Sequence, residues 1–220
     1  MTIHVSAFRW VPPFAQGYVK DLRVRWALEE AGLPYEETLI GPQDQASDKY
    51  RRWQPFGQVP AYRDGEVDMF ESGAIVLHIA ARSQALAPGD AAGRARVTSW
   101  VFAALNSIEP HAQNLIHFDA AGAGEVWAKQ RGAQLEANLG RRLSMLSAWL
   151  GDKDYLERRF TAGDLIMATV LRELVDCGAL AQFPTIDAYL RRCLARPAFV
   201  RALEAQMQPF REPIHTEAMA

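Results

Sequence analysis

The chain of 220 residues is short of cysteine, of histidine, of charge of one sign and of long apolar runs. Each shortage closes a class of function. Two cysteines, Cys177 and Cys193, stand apart and outside any CxxC, so neither a disulfide framework nor a thiolate metal site is indicated. Five scattered histidines without an HExxH leave no imidazole cluster, and no metal is expected. With 24 basic and 26 acidic side chains the formal charge is -2, and the positive residues lie among acids. No cationic field is therefore offered to nucleic acid, and no such partner is expected. No apolar run approaches the ~20 residues of a membrane span, and MTIHVSAF reads as a strand, without the basic start and long apolar centre of a leader. The expectation is a cytoplasmic chain with no membrane partner. What is present is an apolar fraction of 49%, enough for a sizeable core in one large or two small domains.

Residues 2–8, TIHVSAF, alternate loosely and carry β-branched side chains, as a first strand does. A proline-bearing loop, RWVPPFAQG, follows. LRVRWALEEAG then sets Val24, Ala27, Leu28 and Ala31 at i, i+3, i+4 and i+7, with Gly32 and Pro34 as the stop. YEETLI reads as a second strand, DKYRRW as a possible short helix, and AYR-DG-EVDMF as a hairpin whose Asp64-Gly65 suits a type I′ turn. Ser72 is placed to cap a helix running to about Ala81, while Glu71 beside it adds a charge that capping does not need.

SQALAPGDAAGR breaks the pattern as a linker would, and everything beyond it reads helical. Helices are expected over about 93–115 with a break near Pro110, then 125–151, 162–177, 185–195 and 198–206. Thr161 and Asp164 form the [ST]-x-x-[DE] capping pattern, with Phe160 and Leu165 spaced as a hydrophobic staple. DLIMATVL is apolar almost all round and belongs at the centre of this second part. Trp100, Phe102 and Cys177 read as packed residues, and PFREPIHTEAMA as a loose tail.

FGQVP before a DG hairpin, ES at a helix start, LEEAGLPYE, WVFAALNSIEP and FTAGDLIMATVL, in that order and spacing, resemble the cytosolic glutathione S-transferase family in its bacterial form. No class within it is assigned. The resemblance spans nearly the whole chain. It implies an α/β plus all-α fold: a thioredoxin-like domain (β-α-β-α-β-β-α) over 1–82, a linker over 83–93, an all-helical domain over 94–206 and a tail over 207–220. It also implies a cis bond between Val59 and Pro60, with Val59 offering its backbone to the cysteinyl part of glutathione, the logic of strand addition. Glu71 would pair with the ammonium of the γ-glutamyl head, Ser72 and the helix N-terminus would receive its carboxylate, and Gln58 would help to hold the glycine end. Read alone, an ES at a helix start is an ordinary cap; the proline and hairpin before it give it the second meaning.

Glutathione enters as co-substrate, and its thiolate would attack a hydrophobic electrophile or an organic peroxide in a homodimeric detoxification enzyme. The electrophile would sit between the loop over 9–18 and the helix containing WVFAALNSIEP. A thiol of pKa about 8.5 is only about 3% thiolate at pH 7, and lowering that pKa by about two units raises the reactive fraction some 25-fold. Family members use a Tyr at the end of the first strand, or a Ser or Cys at the start of the first helix. Here the strand ends at Phe8, which has no hydroxyl. Counting back from LRVRWALEEAG puts Tyr18 at the serine position and Lys20 at the cysteine position; aligning RWVPPF with W-x-S-P-F puts Pro12 there instead. Tyr18 is the candidate catalytic donor, with Arg9, Gln16 or a loop amide as substitutes. The missing activator keeps a second reading open, a non-catalytic glutathione-binding carrier or scaffold of the same fold.

Overall fold

The computed structural model describes residues 2–119 and 126–211. They fall into two compact units, one of residues up to Leu86 together with the segment from Pro197, the other Ala87–Arg196.

In the first unit, β1 (Ile3–Phe8), α1 (Asp21–Ala31), β2 (Tyr35–Ile40), the short α2 (Pro42–Ala46) and α3 (Asp48–Arg51), β3 (Ala61–Arg63), β4 (Asp68–Phe70) and α4 (Ser72–Ala81) follow in order. The sheet runs β2-β1-β3-β4, with β1 parallel to β2 and both other pairs antiparallel. This is the thioredoxin-like arrangement. α1 stops where Gly32 turns to φ 65 and Leu33 N–H returns to Leu28 C=O at 3.0 Å, a left-handed cap that glycine adopts without strain. Val24, Trp26, Ala27 and Leu28 are fully buried on this helix, as are Ile75, Val76 and Ile79 on α4.

The hairpin differs from the expected two-residue turn. Arg63 pairs with Asp68, so Asp64–Val67 form a longer loop. The cause is Asp64, whose Oδ1 accepts the Glu66 and Val67 N–H groups at 3.0 and 3.1 Å and holds the chain in a wider turn. Its Oδ2 lies 3.0 Å from His78 Nε2, and accepts Arg82 Nη1 at 2.9 Å and the Tyr62 hydroxyl at 3.1 Å. Burial works against this carboxylate's charge, but the bonds from His78, the two amides and Tyr62 outweigh it and hold its pKa well below the usual range.

α10 (Pro197–Arg211) belongs to this unit, whereas the sequence pattern groups 198–206 with the helical domain and begins a tail at 207. It packs on α1: Trp26 meets Phe199 edge-on at 4.9 Å, and Gln206 Nε2 donates to Asp21 Oδ1 at 2.7 Å and to Val19 C=O at 3.0 Å. The helix passes Pro209, inside the expected tail, and is described to Arg211; the rest of that tail, 212–220, lies outside the described residues.

The second unit holds α5 (Ala91–Phe102), α6 (Glu109–Asp119), α7 (Val126–Leu150), α8 (Ala162–Arg172) and α9 (Pro184–Leu194). The break expected near Pro110 is a π-helical stretch, Ala103–Ile108, in which Glu109 N–H reaches back to Ala104 C=O. Pro110 cannot donate to a carbonyl four residues back, and the wider π register before it absorbs that defect. α8 is buried from Ala162 to Leu171, and Asp164 Oδ2 accepts the Thr161 N–H and hydroxyl at 2.9 and 3.0 Å. Gly163 is required here, because a Cβ would stand 2.6 Å from that of Trp100. Two of the expected packed residues are not: Phe102 is 53% exposed, and Cys177 is exposed because α8 ends at Arg172 and tightens into i→i−3 turns. Trp100 is half-buried against Trp149. Among the described residues no helix is long and apolar enough to cross a membrane.

Candidate active site

The register sets the site. β3 runs antiparallel to β1, so Pro60, just before β3, lies at the end of the sheet where β1 finishes and the loop over 9–20 departs. Ala61 pairs with Phe70, which brings Pro60 and Glu71 to that same end. The two ends of the β3-β4 hairpin thus meet at one end of the sheet.

The Val59–Pro60 peptide is cis. Val59 and Pro60 are buried, yet neither the N–H nor the C=O of Val59 has a hydrogen-bond partner among the described residues. Buried backbone groups without partners are rare, and an extended ligand could satisfy both. Gln58 is exposed, and its C=O accepts the Tyr50 hydroxyl at 2.6 Å.

Glu71 takes the N-cap position of α4 with φ 68 and ψ 109, a left-handed conformation that costs a non-glycine residue on the order of 1–3 kcal/mol. Strain of this kind persists where the surroundings hold a side chain in a required direction. Ser72, expected to cap the helix, is instead the first helical residue and makes no capping bond. Its Oγ accepts from Arg23 Nη1 at 3.3 Å, and its own proton has no acceptor among the described residues. Ser72 is therefore a hydroxyl donor held by a buried guanidinium, beside N–H groups that a helix start leaves unpaired. Together they can receive a carboxylate.

Tyr18 is half-buried on the loop before α1, its N–H bonded to Ala15 C=O at 3.0 Å. Of the substitutes, Arg9 Nη2 donates to Leu39 C=O at 3.4 Å, and Gln16 Nε2 to Val11 C=O at 3.2 Å. Lys20 is the N-cap residue of α1. Among the described residues no cluster of His, Cys, Asp or Glu is placed to hold a metal ion.

Three residues around the site are absent from the sequence-based expectations: Arg23, Ser6 and Tyr50. Arg23 could have been suspected as a cation within a helix whose neighbours are apolar. The roles of Ser6 and Tyr50 depend on tertiary pairing, for which a single strand and a short helix give no signal.

The model of the glutathione S-transferase N-terminal domain matches residues 17–81, the stretch that contains Tyr18, Val59-Pro60 and Glu71-Ser72. A glutathione S-transferase of Hyoscyamus muticus is 30% identical, the match covering 83% of this chain and 92% of that protein. A disulfide-bond oxidoreductase of Escherichia coli is 28% identical over 80% of this chain and 86% of its own length. Among solved structures, a glutathione transferase from Burkholderia graminis, with two glutathione molecules bound per subunit, superposes with a TM-score of 0.80 at 26% identity, covering 93% of this chain and 88% of that one. The fold, the site geometry and these similarities agree: the chain belongs to the glutathione S-transferase family.

Proposed function

We propose that this transferase binds glutathione along Gln58–Pro60 and Glu71–Ser72 and activates its thiol for attack on a hydrophobic electrophile or an organic peroxide. The observation that carries the reading is Val59, whose N–H and C=O have no partner among the described residues and which precedes the cis bond to Pro60, at the sheet end that also holds Glu71. The cysteinyl residue pairs with Val59, the γ-glutamyl ammonium with Glu71, and its carboxylate with Ser72 and the α4 amides; Gln58 faces the glycine end. Tyr18 donates a hydrogen bond from its hydroxyl to the thiolate and keeps its proton. In conjugation the sulfur forms the new C–S bond, the leaving group departs with its electron pair, and the thiol proton passes to solvent. In peroxide reduction the sulfur takes one oxygen, an alcohol leaves, and a second glutathione converts the sulfenic acid to the disulfide with loss of water.

The enzyme works as a cytoplasmic homodimer in this reading. Phe56 is 70% exposed with its ring 6.0 Å from that of Phe70, an aromatic pair for a second copy to cover, and both cysteines are unpaired. Exposed Trp10 and Phe14, at 40% and 84%, give the loop before α1 an apolar character that suits a hydrophobic second substrate.

A second reading, disulfide reduction, is favoured by the two glutathiones bound in the Burkholderia graminis transferase and by the name of the Escherichia coli relative. The first unit contains no cysteine, so both electrons would have to come from two glutathiones. Turnover of an aryl halide and of an organic hydroperoxide with glutathione tests the first reading. Turnover of a small disulfide with two equivalents bound would replace it with the second, and binding without any turnover would mean a carrier.

A further inference from the structure

Around Val59-Pro60 the hydrogen bonds form a chain whose direction can be assigned. Ala61 N–H donates to Ser6 Oγ at 2.7 Å, because an amide cannot accept. The Tyr50 hydroxyl donates to Gln58 C=O at 2.6 Å, because a carbonyl cannot donate. Tyr50 has one hydroxyl proton, and that bond uses it. The remaining contact, 2.8 Å between Ser6 Oγ and the Tyr50 oxygen, must therefore be Ser6 donating to Tyr50. The order is Ala61 N–H to Ser6 O–H to Tyr50 O–H to Gln58 C=O, with Ser6 fully buried and Tyr50 6% exposed. A phenol is protonated at neutral pH, and burial raises the Tyr50 pKa further in the same direction. Hydrogen bonds in such a chain polarise and strengthen one another.

The consequence lies in two peptide planes. In a trans peptide the C=O and the following N–H point in opposite directions, and the bond from Gln58 to Val59 is trans. Tyr50 draws Gln58 C=O inward, so Val59 N–H is turned away from Tyr50. By the same geometry, Ser6 draws Ala61 N–H to β1 and turns Pro60 C=O the other way. The chain grips the residue on each side of Val59-Pro60 and turns the Val59 N–H away from itself, while the Val59 C=O is without a partner among the described residues.

We infer that Ser6 and Tyr50 are positioning residues of the glutathione site, a hydroxyl clamp that aims the Val59 backbone at the cysteinyl residue. The inference rests on the glutathione reading above. Neither side chain touches the reacting sulfur; each acts through Val59.

The test compares the parent, Tyr50→Phe, Ser6→Ala and the double variant, each checked for a cooperative thermal transition. Glutathione affinity and the pH titration of the bound thiol are then measured. Each single variant is expected to bind glutathione about 10-fold more weakly, the equivalent of one misaligned hydrogen bond. Each should also titrate its bound thiol at higher pH, and the double variant should lose no more than the worse single, since the chain acts as a unit. A purely structural role would lower the thermal midpoint and leave affinity and thiol titration as in the parent, and that result overturns the inference. Losses that simply add overturn it too. If one single variant does not fold, the other decides the matter by the same two readouts. A parent that binds no glutathione overturns the functional reading and the clamp with it, whereas folded variants indistinguishable from a binding parent overturn the clamp alone.

Discussion

In the proposed function, individual residues divide the work of the site between grip and activation. Glu71 is held in a left-handed conformation at the start of α4 and is exposed, where it can meet a ligand's ammonium. Glu71→Ala is expected to weaken glutathione binding by about 1.5–3 kcal/mol, the range for a charge-assisted hydrogen bond, read from the dissociation constant. An unchanged constant would remove Glu71 from the site. Tyr18→Phe should leave that constant alone and move the bound thiol's titration to higher pH, because only the charged form loses its donor. An unmoved titration would assign activation to another group. The placement of Glu71, Ser72 and the cis Val59-Pro60 bond at one end of the sheet is legible in the sequence because their types and spacing are local. Arg23 is not, since its contact with Ser72 joins two helices that are 49 residues apart in the chain.

At the scale of elements, strands and helices are legible where period and stop signals agree, as in α1 with its closing Gly32 and β2 over Tyr35–Ile40. The pattern misleads where a side chain competes with the backbone. Asp-Gly signals a tight hairpin, but Asp64 commits its carboxylate to two loop amides, and the loop widens. That carboxylate also ties β3 and the hairpin to α4 through Tyr62, His78 and Arg82. Asp64→Asn should therefore destabilise the fold by about 2–4 kcal/mol at neutral pH, as expected for breaking a buried, multiply bonded charge. The sign of the pH dependence follows from the lowered pKa: the stabilisation is present above the unfolded value near 4 and fades as pH falls toward the folded one. The stability gap between parent and variant, measured by denaturant unfolding, should be constant from about pH 7 to 5 and close below about pH 4. A gap independent of pH down to acid unfolding would mean that the carboxylate's charge contributes nothing.

The whole molecule holds what the sequence order conceals. α10 follows the helical segments and reads as one of them, yet it packs on α1, because periodicity gives the apolar face of a helix and not the surface that receives it. Phe199, 5% exposed against Trp26, should cost about 3–5 kcal/mol when changed to Ala, visible as a lower denaturant midpoint. A loss below about 1 kcal/mol would show that α10 is only loosely docked. In the proposed function this chain grips glutathione and lowers the pKa of its thiol without a serine or cysteine activator. The deciding measurement is a calorimetric titration with glutathione, followed in the same sample by the pH dependence of thiolate absorbance. Saturable binding is expected, with a bound thiol that ionises about two pH units below the free one, an extra stabilisation of the thiolate of about 2.7 kcal/mol. Binding with the free thiol's pKa, or no binding, would contradict it.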